Sequence, residues 1–389
     1  MFRRLPPGIW ALGMVSLFMD ASSELVHSLL PVFMTSVLGA SMVTIGLIEG
    51  VAEATASIAK VFSGLASDYF GRRKPLVVIG YALAALTKPV FPLAASVTWV
   101  AVARFVDRLG KGIRGAPRDA LVADITPAHL RGAAYGLRQA LDSVGAFIGP
   151  LLAVVLMAAL ANNMTAVLWA AVVPAVLAVV LLLVAVREPE GTHRPAGERV
   201  RVTMAEVRRL PLAYWLIVLL AAVFTLARFS EAFLIVRAQN VGLSLGYIPS
   251  VLIVMNVVYA GAAYPAGLAA DRFSPRRLLT AGLVVLIAAD LLLAVARTPT
   301  VVFAGTACWG LHMALTQGLM SKLVADAAPP RLRGTAFGVL NIVIGGALLF
   351  ASAIAGAIWS TAGPSMTFLT GGLFAAVAVA GLLVYRPAQ

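Results

Sequence analysis

The chain reads Gly64-Leu-Ala-Ser-Asp68-Tyr-Phe-Gly-Arg72-Arg73 and, 203 residues later, Gly267-Leu-Ala-Ala-Asp271-Arg-Phe-Ser-Pro-Arg276-Arg277. A second match is offset by 202 residues, where Leu121-Val-Ala-Asp124 returns as Leu323-Val-Ala-Asp326. Two matches at nearly the same offset are improbable by chance. The sequence is therefore predicted to be a duplication of one unit in parallel orientation.

The composition places both halves in a membrane. Of the 389 residues, 61% are hydrophobic and 12% are charged, whereas soluble domains are about 45–50% apolar and about 25% charged. This composition excludes a cytosolic enzyme and an intrinsically disordered protein. A single cysteine, Cys308, excludes a disulfide scaffold and a cysteine-cluster metal site. The net charge of +13 is dispersed between apolar segments, so no nucleic-acid partner is expected.

Apolar runs of about 20 residues, the length that crosses a bilayer, recur along the whole chain. Helices are expected, because a lone strand would leave its backbone groups unpaired in lipid. The twelve predicted spans lie near residues 10–36, 42–67, 75–95, 98–117, 133–160, 165–186, 211–237, 245–270, 277–296, 300–321, 335–359 and 364–385.

Lys and Arg residues indicate which ends of the spans face the cytoplasm. Most of them lie at the two termini and in one set of loops, which includes Arg118, Arg131 and Arg138, whereas the opposite loops contain only Arg237 and Arg297. Both termini are therefore predicted to be cytoplasmic. Acidic residues interrupt the first apolar run, which favours a retained span over a cleaved signal peptide.

The longest polar stretch, 187–210, is rich in Arg, Glu, Pro and Gly and has six predicted spans on each side. The predicted organisation is therefore a first six-helix bundle over residues 1–186, a cytoplasmic linker over 187–210 and a second six-helix bundle over 211–389.

These motifs resemble those of the major facilitator superfamily of secondary transporters, and the resemblance covers the whole chain. Gly64–Arg73 matches the signature between the second and third spans. Arg108-Leu-Gly-Lys111-Gly112 is similar to the fourth-span motif, with Lys111 in place of the usual Gln. Gly145-Ala-Phe-Ile-Gly149-Pro150 resembles the fifth-span motif of antiporters, although Leu152-Ala153 replaces the Gly pair that normally follows the Pro.

The resemblance implies an all-α integral membrane protein with twelve transmembrane helices. They would form two parallel-repeat six-helix bundles that rock around a central cavity and open it to each side in turn. In this family spans 1, 4, 7 and 10 line the cavity. The substrate and the coupling ion bind near the middle of the membrane.

The predicted spans contain many charged residues, and most belong to the first half. An ionised side chain in hydrocarbon costs about 3 kcal/mol or more, so each one needs a partner or a function. The acids are Asp20, Glu24, Glu49, Glu53, Asp107, Asp142, Glu231 and Asp290, and the bases are Lys60, Lys88, Arg104, Arg108, Lys111, Arg114 and Arg228.

Span 1 carries Asp20, Glu24 and His27 on one helical face, within about 60° at about 100° per residue. If spans 1 and 4 both face the cavity, these acids meet the bases of span 4. A carboxylate whose counter-cation changes between two states has a pKa that moves between them, which is what proton coupling requires. The alternative is a set of fixed ion pairs. The span-4 residues are Arg104, Asp107, Arg108, Lys111 and Arg114.

The same face of span 1 allows a second interpretation, and the second half of the chain adds further polar candidates. Asp20, Glu24 and His27 could instead bind a transition metal, although no His-rich tail, Cys pair or Met cluster accompanies them. In the second half, the polar side chains expected to reach the cavity are Arg228, Glu231, His312 and Gln317.

The resemblance also implies a cytoplasmic gate and a bent fifth span. In the family, the Asp at position 68 caps a helix of the opposite bundle and pairs with Arg, while the glycines permit close packing and a tight turn. Gly145, Gly149 and Pro150 are interpreted as a close-packed, bent helix. The gate residues are Gly64, Asp68, Gly71, Arg72 and Arg73, with Asp271 in the second copy.

Enzymatic function is not expected. The sequence has no phosphate loop ending in Gly-Lys-Ser/Thr, no nucleophile–His pair and no soluble domain large enough for a nucleotide site. Gly110-Lys-Gly-Ile-Arg-Gly115 lacks a preceding strand and is interpreted as a helix-packing feature. Transport is therefore expected to need no cofactor and to draw on a proton gradient.

The expected protein is a monomeric transporter of a bacterial inner membrane whose partners are protons, the lipid bilayer and a small solute. The basic stripe on span 4 favours an anionic or zwitterionic organic solute, and the fifth-span motif favours export by proton antiport. Three alternatives stay open: a proton-coupled importer, a transition-metal exporter using span 1, and a membrane receptor without transport activity.

Overall fold

The computed structural model describes residues 5–70, 72–188, 210–316, 319–329 and 332–384. These residues form α-helices joined by short turns and include no strand. The helices are α1 (Pro7–Ser36), α2 (Met42–Phe70), α3 (Lys74–Thr87), α4 (Val90–Leu93), α5 (Val97–Ile125), α6 (Arg131–Ala159), α7 (Met164–Ala170), α8 (Val172–Ala185), α9 (Leu212–Leu226), α10 (Ala232–Asn240), α11 (Ser250–Arg272), α12 (Pro275–Val295), α13 (Pro299–Thr316), α14 (Leu319–Ala327), α15 (Arg333–Ala362) and α16 (Pro364–Val384).

The predicted fold class, an all-α membrane protein, is confirmed. Within the described ranges, nine helical stretches are long and apolar enough to cross a membrane. The number of twelve spans and the cytoplasmic termini stay predictions.

Several predicted spans are interrupted helices. Span 3 consists of α3 and α4, because Pro89 lacks the backbone N–H that a continuous helix would use. Span 7 consists of α9 and α10, and its break covers residues 227–231. Span 4, by contrast, continues as α5 to Ile125, well past its predicted end near residue 117.

The chain divides into two compact units. Unit 1 contains residues 1–40, 55–199 and 245–250, and unit 2 contains residues 41–54, 200–244 and 251–389. The end of α2 thus belongs to unit 1 and its beginning to unit 2.

The core of unit 1 is built around α1, which packs against α6 and α8, while α3 packs against α5. Apolar side chains of α1, including Leu12 and Met19, are completely buried against residues such as Val77 of α3 and Ala178 of α8. Helix α1 also contacts α5, and the charged residues of the candidate site lie on these two helices and their neighbours.

The core of unit 2 has α9 against α14 and α15, and α12 against α13 and α16. Buried Tyr214 of α9 donates a hydrogen bond from Oη to the carbonyl oxygen of Ala336, at 2.9 Å. Around this contact, Ile217 and Ala221 pack with Val324 and Leu340.

Candidate transport site

A buried carboxylate in unit 1, Asp107, lies among three cations. The Nζ atom of Lys88 donates a hydrogen bond to Oδ1 of Asp107 at 2.8 Å. The Oδ2 atom lies 3.9 Å from Nη1 of Arg104 and 3.7 Å from Nε of Arg108. All four side chains are almost completely buried. Lys88 also donates to Oγ of Ser23 at 3.0 Å, and these five residues form the Asp107 cluster.

The second group of charges in unit 1 surrounds Asp142 of α6. Its Oδ2 atom lies 2.5 Å from Nη1 of Arg138 and 3.9 Å from Nη2 of Arg118. Both arginines also approach Oδ1 of Asp119, at 3.5 Å for Arg118 and 3.7 Å for Arg138. Arg118 further donates to Oγ of Ser16 at 2.9 Å. We call these residues, together with Tyr81, the Asp142 cluster.

Arg114 connects Asp20 to the Asp142 cluster, because it contacts both Asp20 and Tyr81. Its Oδ1 atom lies 3.7 Å from Nη2 of Arg114, whose guanidinium carbon is 4.5 Å from the centre of the Tyr81 ring. Asp20 also interacts electrostatically with Asp142, Lys111 and Arg118. Its side chain is 24% exposed, whereas that of Arg114 is 4% exposed. Asp20 is therefore a partly accessible carboxylate next to a buried cation.

Glu24 and His27 lie one turn further along α1. Oε2 of Glu24 is 3.4 Å from Nδ1 of His27, and Glu24 also interacts electrostatically with Lys111 and Arg108. The structure thus brings acids of span 1 near bases of span 4. Among the residues that the structure describes, no three His, Cys, Asp or Glu side chains form a group that could hold a metal ion.

The fifth-span motif packs directly against the acidic face of α1. A Cβ atom added at Gly145 would lie 3.1 Å from Cβ of Asp20, and one added at Gly149 would lie 2.9 Å from Cβ of Glu24. Pro150 lies inside the continuous helix α6 and is buried. Because no side chain separates the two helices here, this contact fixes where the two acids lie.

In unit 2, the break between α9 and α10 contains Arg228 and Glu231. Arg228 interacts electrostatically with Glu231, with Tyr259 and with Glu53 of α2. Oγ of Ser230 lies 3.4 Å from Oε2 of Glu49. The break therefore brings charged groups of span 7 near the beginning of α2.

The other predicted residues of the second half are placed differently. His312 is completely buried, hydrogen-bonds through Nδ1 to the carbonyl oxygen of Gly282 at 2.8 Å and stacks on Phe224. This is the arrangement of a packed, structural histidine. Gln317 lies outside the described residues.

The predicted gate is described only in part. Gly71 and the side chains of Asp68 and Asp271 lie outside the described part of the chain, and Arg72 is exposed. A Cβ atom at Gly64 would lie 3.3 Å from Cβ of Ala116.

Near the predicted gate, Arg73 forms an ion pair with Asp124. Its Nε atom lies 2.5 Å from Oδ2 of Asp124. The backbone N–H groups of Arg73 and Lys74 donate to Oε1 and Oε2 of Glu188, at 2.6 and 3.3 Å. Glu188 was given no role by the sequence, and Asp124 was marked only by the repeat of Leu121–Asp124.

Arg118, Arg138 and Arg237, which were counted with the loop cations, lie within helices and have partners there. Arg118 and Arg138 lie in α5 and α6 and belong to the Asp142 cluster. Arg237 is buried in α10 and donates to the carbonyl oxygens of Leu293 and Ala296, at 3.0 and 2.7 Å. Each cation was placed near or beyond the end of an apolar run, because a charge in hydrocarbon is costly, but a charged or hydrogen-bonded partner offsets that cost. Arg118 could have been found, since it lies one turn beyond Arg114 on the same face.

Comparison with known proteins identifies the family. The chain matches the Major Facilitator Superfamily over residues 12–256 and 229–389. It is 32% identical over 388 residues to an uncharacterised MFS-type transporter of Methanocaldococcus jannaschii, and the match covers 98% of this chain and 95% of that one. The chain therefore belongs to the Major Facilitator Superfamily, and the expected membership is confirmed.

Two further similarities are more limited. The multidrug resistance protein MdtH of Yersinia enterocolitica is 32% identical over 130 residues, which are 33% of this chain and 32% of that one. A D-xylose-proton symporter of known structure has a TM-score of 0.78 at 16% identity and covers 97% of both chains. At that identity the likeness shows the fold alone.

Proposed function

We propose that this protein is a proton-coupled secondary transporter that exports a small organic solute of anionic or zwitterionic character. The observation that carries the proposal is the contact between Asp20 and Arg114, which joins a partly exposed carboxylate of span 1 to a buried cation of span 4.

Proton coupling follows from competition for cations within unit 1. Asp20 and Asp142 repel each other, and both interact with Arg118. If Arg114 moves away from Asp20 during the transport cycle, that carboxylate loses the cation of its ion pair. A proton then takes the cation's place, because an uncompensated charge in this setting is costly. Return of Arg114 displaces the proton, so proton binding and conformational change become linked.

The proposed solute class follows from the cations of α5. Arg104 and Arg108 lie beside the one carboxylate of the Asp107 cluster, and the Lys111 side chain on the same helix is exposed. Positive groups held in a low-dielectric site attract a carboxylate or phosphate group strongly. Glu24, near Lys111, supplies a negative group for the cationic end of a zwitterion.

Export is supported by the fifth-span motif, whose glycines set the contact with the acidic face of α1. The partial similarity to a multidrug resistance protein also supports export. We also propose a monomer in a bacterial inner membrane, with twelve spans, six over residues 1–186 and six over 211–389, joined by a cytoplasmic linker. The proton gradient would be its energy source.

The proposal is tested in proteoliposomes that contain a trapped pH-sensitive dye and a candidate solute. The probes are succinate, glutamate and tetraphenylphosphonium, each with an imposed pH gradient, and liposomes without protein are the control. We expect succinate or glutamate to move against protons, so that its flux collapses the gradient faster. Proton movement in the same direction as the solute would instead show a symporter. Coupling with tetraphenylphosphonium alone would overturn the solute class, and no coupling with any probe would contradict the proposal.

A further inference from the structure

We propose that Asp290 carries a proton and forms a proton-binding site in unit 2, apart from the charge clusters of unit 1. This goes beyond the proposed function, which assigns coupling to Asp20. The inference begins from the burial of Asp290, whose side chain on α12 is completely inaccessible to solvent. Neither Oδ1 nor Oδ2 has a hydrogen-bond partner among the residues that the structure describes.

The surroundings of this carboxyl group are apolar. Gly371 of α16 and the ring of Phe229 lie directly against it: a Cβ atom at Gly371 would be 2.9 Å from Oδ2 of Asp290 and 2.9 Å from Cε1 of Phe229. The Phe229 ring in turn contacts Trp309 and Phe368, with ring centres 5.7 and 5.5 Å apart. Gly371 thus leaves just enough room for the carboxyl group.

No described cation compensates a charge at this position. Helix α16 contains no titratable residue, and α13 contributes His312, which is bound to Gly282, and Cys308. Arg228 interacts with Glu231 and Glu53, while Arg237 binds carbonyl oxygens at the end of α12. Among the groups that the structure describes, none interacts electrostatically with Asp290. The side chains of Lys322 and Asp326 on α14 lie outside this part of the chain.

An ionised carboxylate in these surroundings would lack both solvent and a counter-ion. Burying an unpaired charge costs far more than burying a neutral polar group, and in a membrane-spanning segment such residues mark functional sites. The neutral carboxylic acid avoids this cost. The geometry therefore assigns a bound proton to Asp290.

The position of Phe229 links this proton to the rest of unit 2. Phe229 lies in the break of span 7, directly after Arg228, and lines a narrow cavity together with Gly371 and Thr370. Loss of the proton would require water or a cation to reach the carboxylate. The contact between α12, α16 and Phe229 would then have to open, which would move the break that holds Arg228.

Infrared spectroscopy of the purified full-length protein at pH 7 tests the site without knowledge of the solute. We expect a carbonyl stretching band of a protonated carboxylic acid with no hydrogen bond, shifted in deuterium oxide and absent from Asp290→Asn. Asp142→Asn is the matched control, because Asp142 is paired with Arg138. It should keep the band and lose carboxylate absorption.

If Asp290→Asn does not fold, Asp290→Glu provides the second variant, and the band should then change in frequency. Absence of the band from the wild type, or its persistence unchanged in the Asp290 variant, would overturn the inference. Because this readout involves no transport, its failure is distinguishable from failure of the proposed function.

Discussion

The Nζ atom of Lys88 and the Oδ1 atom of Asp107 lie 2.8 Å apart, and both side chains are almost completely buried. Lys88 follows the last residue of α3 and precedes Pro89, so the break in span 3 positions its side chain. Asp107 is thereby the common partner of cations from two spans. The breaking of such a buried pair leaves charge without compensation.

Replacement of Asp107 by Asn should therefore destabilise the protein strongly. Three buried cations would lose their shared carboxylate, and a loss of about 3–5 kcal/mol in the free energy of unfolding is expected. Thermal unfolding in detergent measures this. The double variant Lys88→Met with Asp107→Asn should recover part of the loss, because it removes one of the stranded cations. An equal or lower stability of the double variant would contradict the assignment of the pair.

The contact between α6 and α1 gives a second prediction. A methyl group at Gly149 would press on Glu24 and on the backbone of α1, so Gly149→Ala should cost about 1–3 kcal/mol and impair transport. Gly136→Ala is the matched control on the same helix, because no atom lies within 4 Å of its added Cβ. It should be neutral or stabilise the helix by up to about 1 kcal/mol. Equal effects of the two changes would show that close packing at Gly149 is unimportant.

Two adjacent arginines between α2 and α3 give a third prediction. Arg73 forms an ion pair with Asp124, whereas Arg72 is exposed. Arg73→Ala should lower the free energy of unfolding by about 1 kcal/mol, since the pair is partly solvated, and high salt should reduce the difference. Arg72→Ala should have a smaller effect. If Arg72→Ala lowered the free energy of unfolding more than Arg73→Ala, the importance given to the pair of Arg73 with Asp124 would be contradicted.

Arg237 and Arg297 were both counted as loop cations, but their environments in the structure differ. Arg237 is buried and binds backbone carbonyl oxygens at the end of α12, while Arg297 is exposed. Arg237→Ala should cost about 1.5–3 kcal/mol, because it leaves buried acceptors unpaired. Arg297→Ala should change stability by less than about 0.5 kcal/mol. Thermal unfolding of both variants tests the difference, and similar melting temperatures would contradict the role given to Arg237.

The fold class was predictable because apolar runs long enough to span a bilayer leave helices as the main option. The motif at Gly64 and its second copy at Gly267 pointed to the family, because they resemble the family's signature between the second and third spans. Hydropathy could not find the breaks at Lys88 and at residues 227–231, because both lie within apolar runs. These breaks depend on Pro89 and on tertiary contacts.

The candidate site was predictable in its residue types and less so in its pairings. Helical periodicity placed Asp20 and Arg114 on faces that could meet, and the structure has them 3.7 Å apart. The same reasoning did not give Lys88 as the partner of Asp107, because the position of Lys88 depends on the break in span 3. It also left Asp290 without a role, because a missing partner becomes visible only when the neighbouring helices are in place.

The central claim is that a change of partner at Asp20 couples protons to transport, and one comparison tests it most directly. Asp20→Asn and Glu188→Gln are reconstituted beside the wild type, the latter because Glu188 caps backbone N–H groups away from the site. For the solute identified in proteoliposomes, both solute exchange at equal pH and transport driven by a pH gradient are measured. We predict that Asp20→Asn keeps exchange and loses the response to the gradient, while Glu188→Gln keeps both. A full response to the gradient in Asp20→Asn would contradict the account.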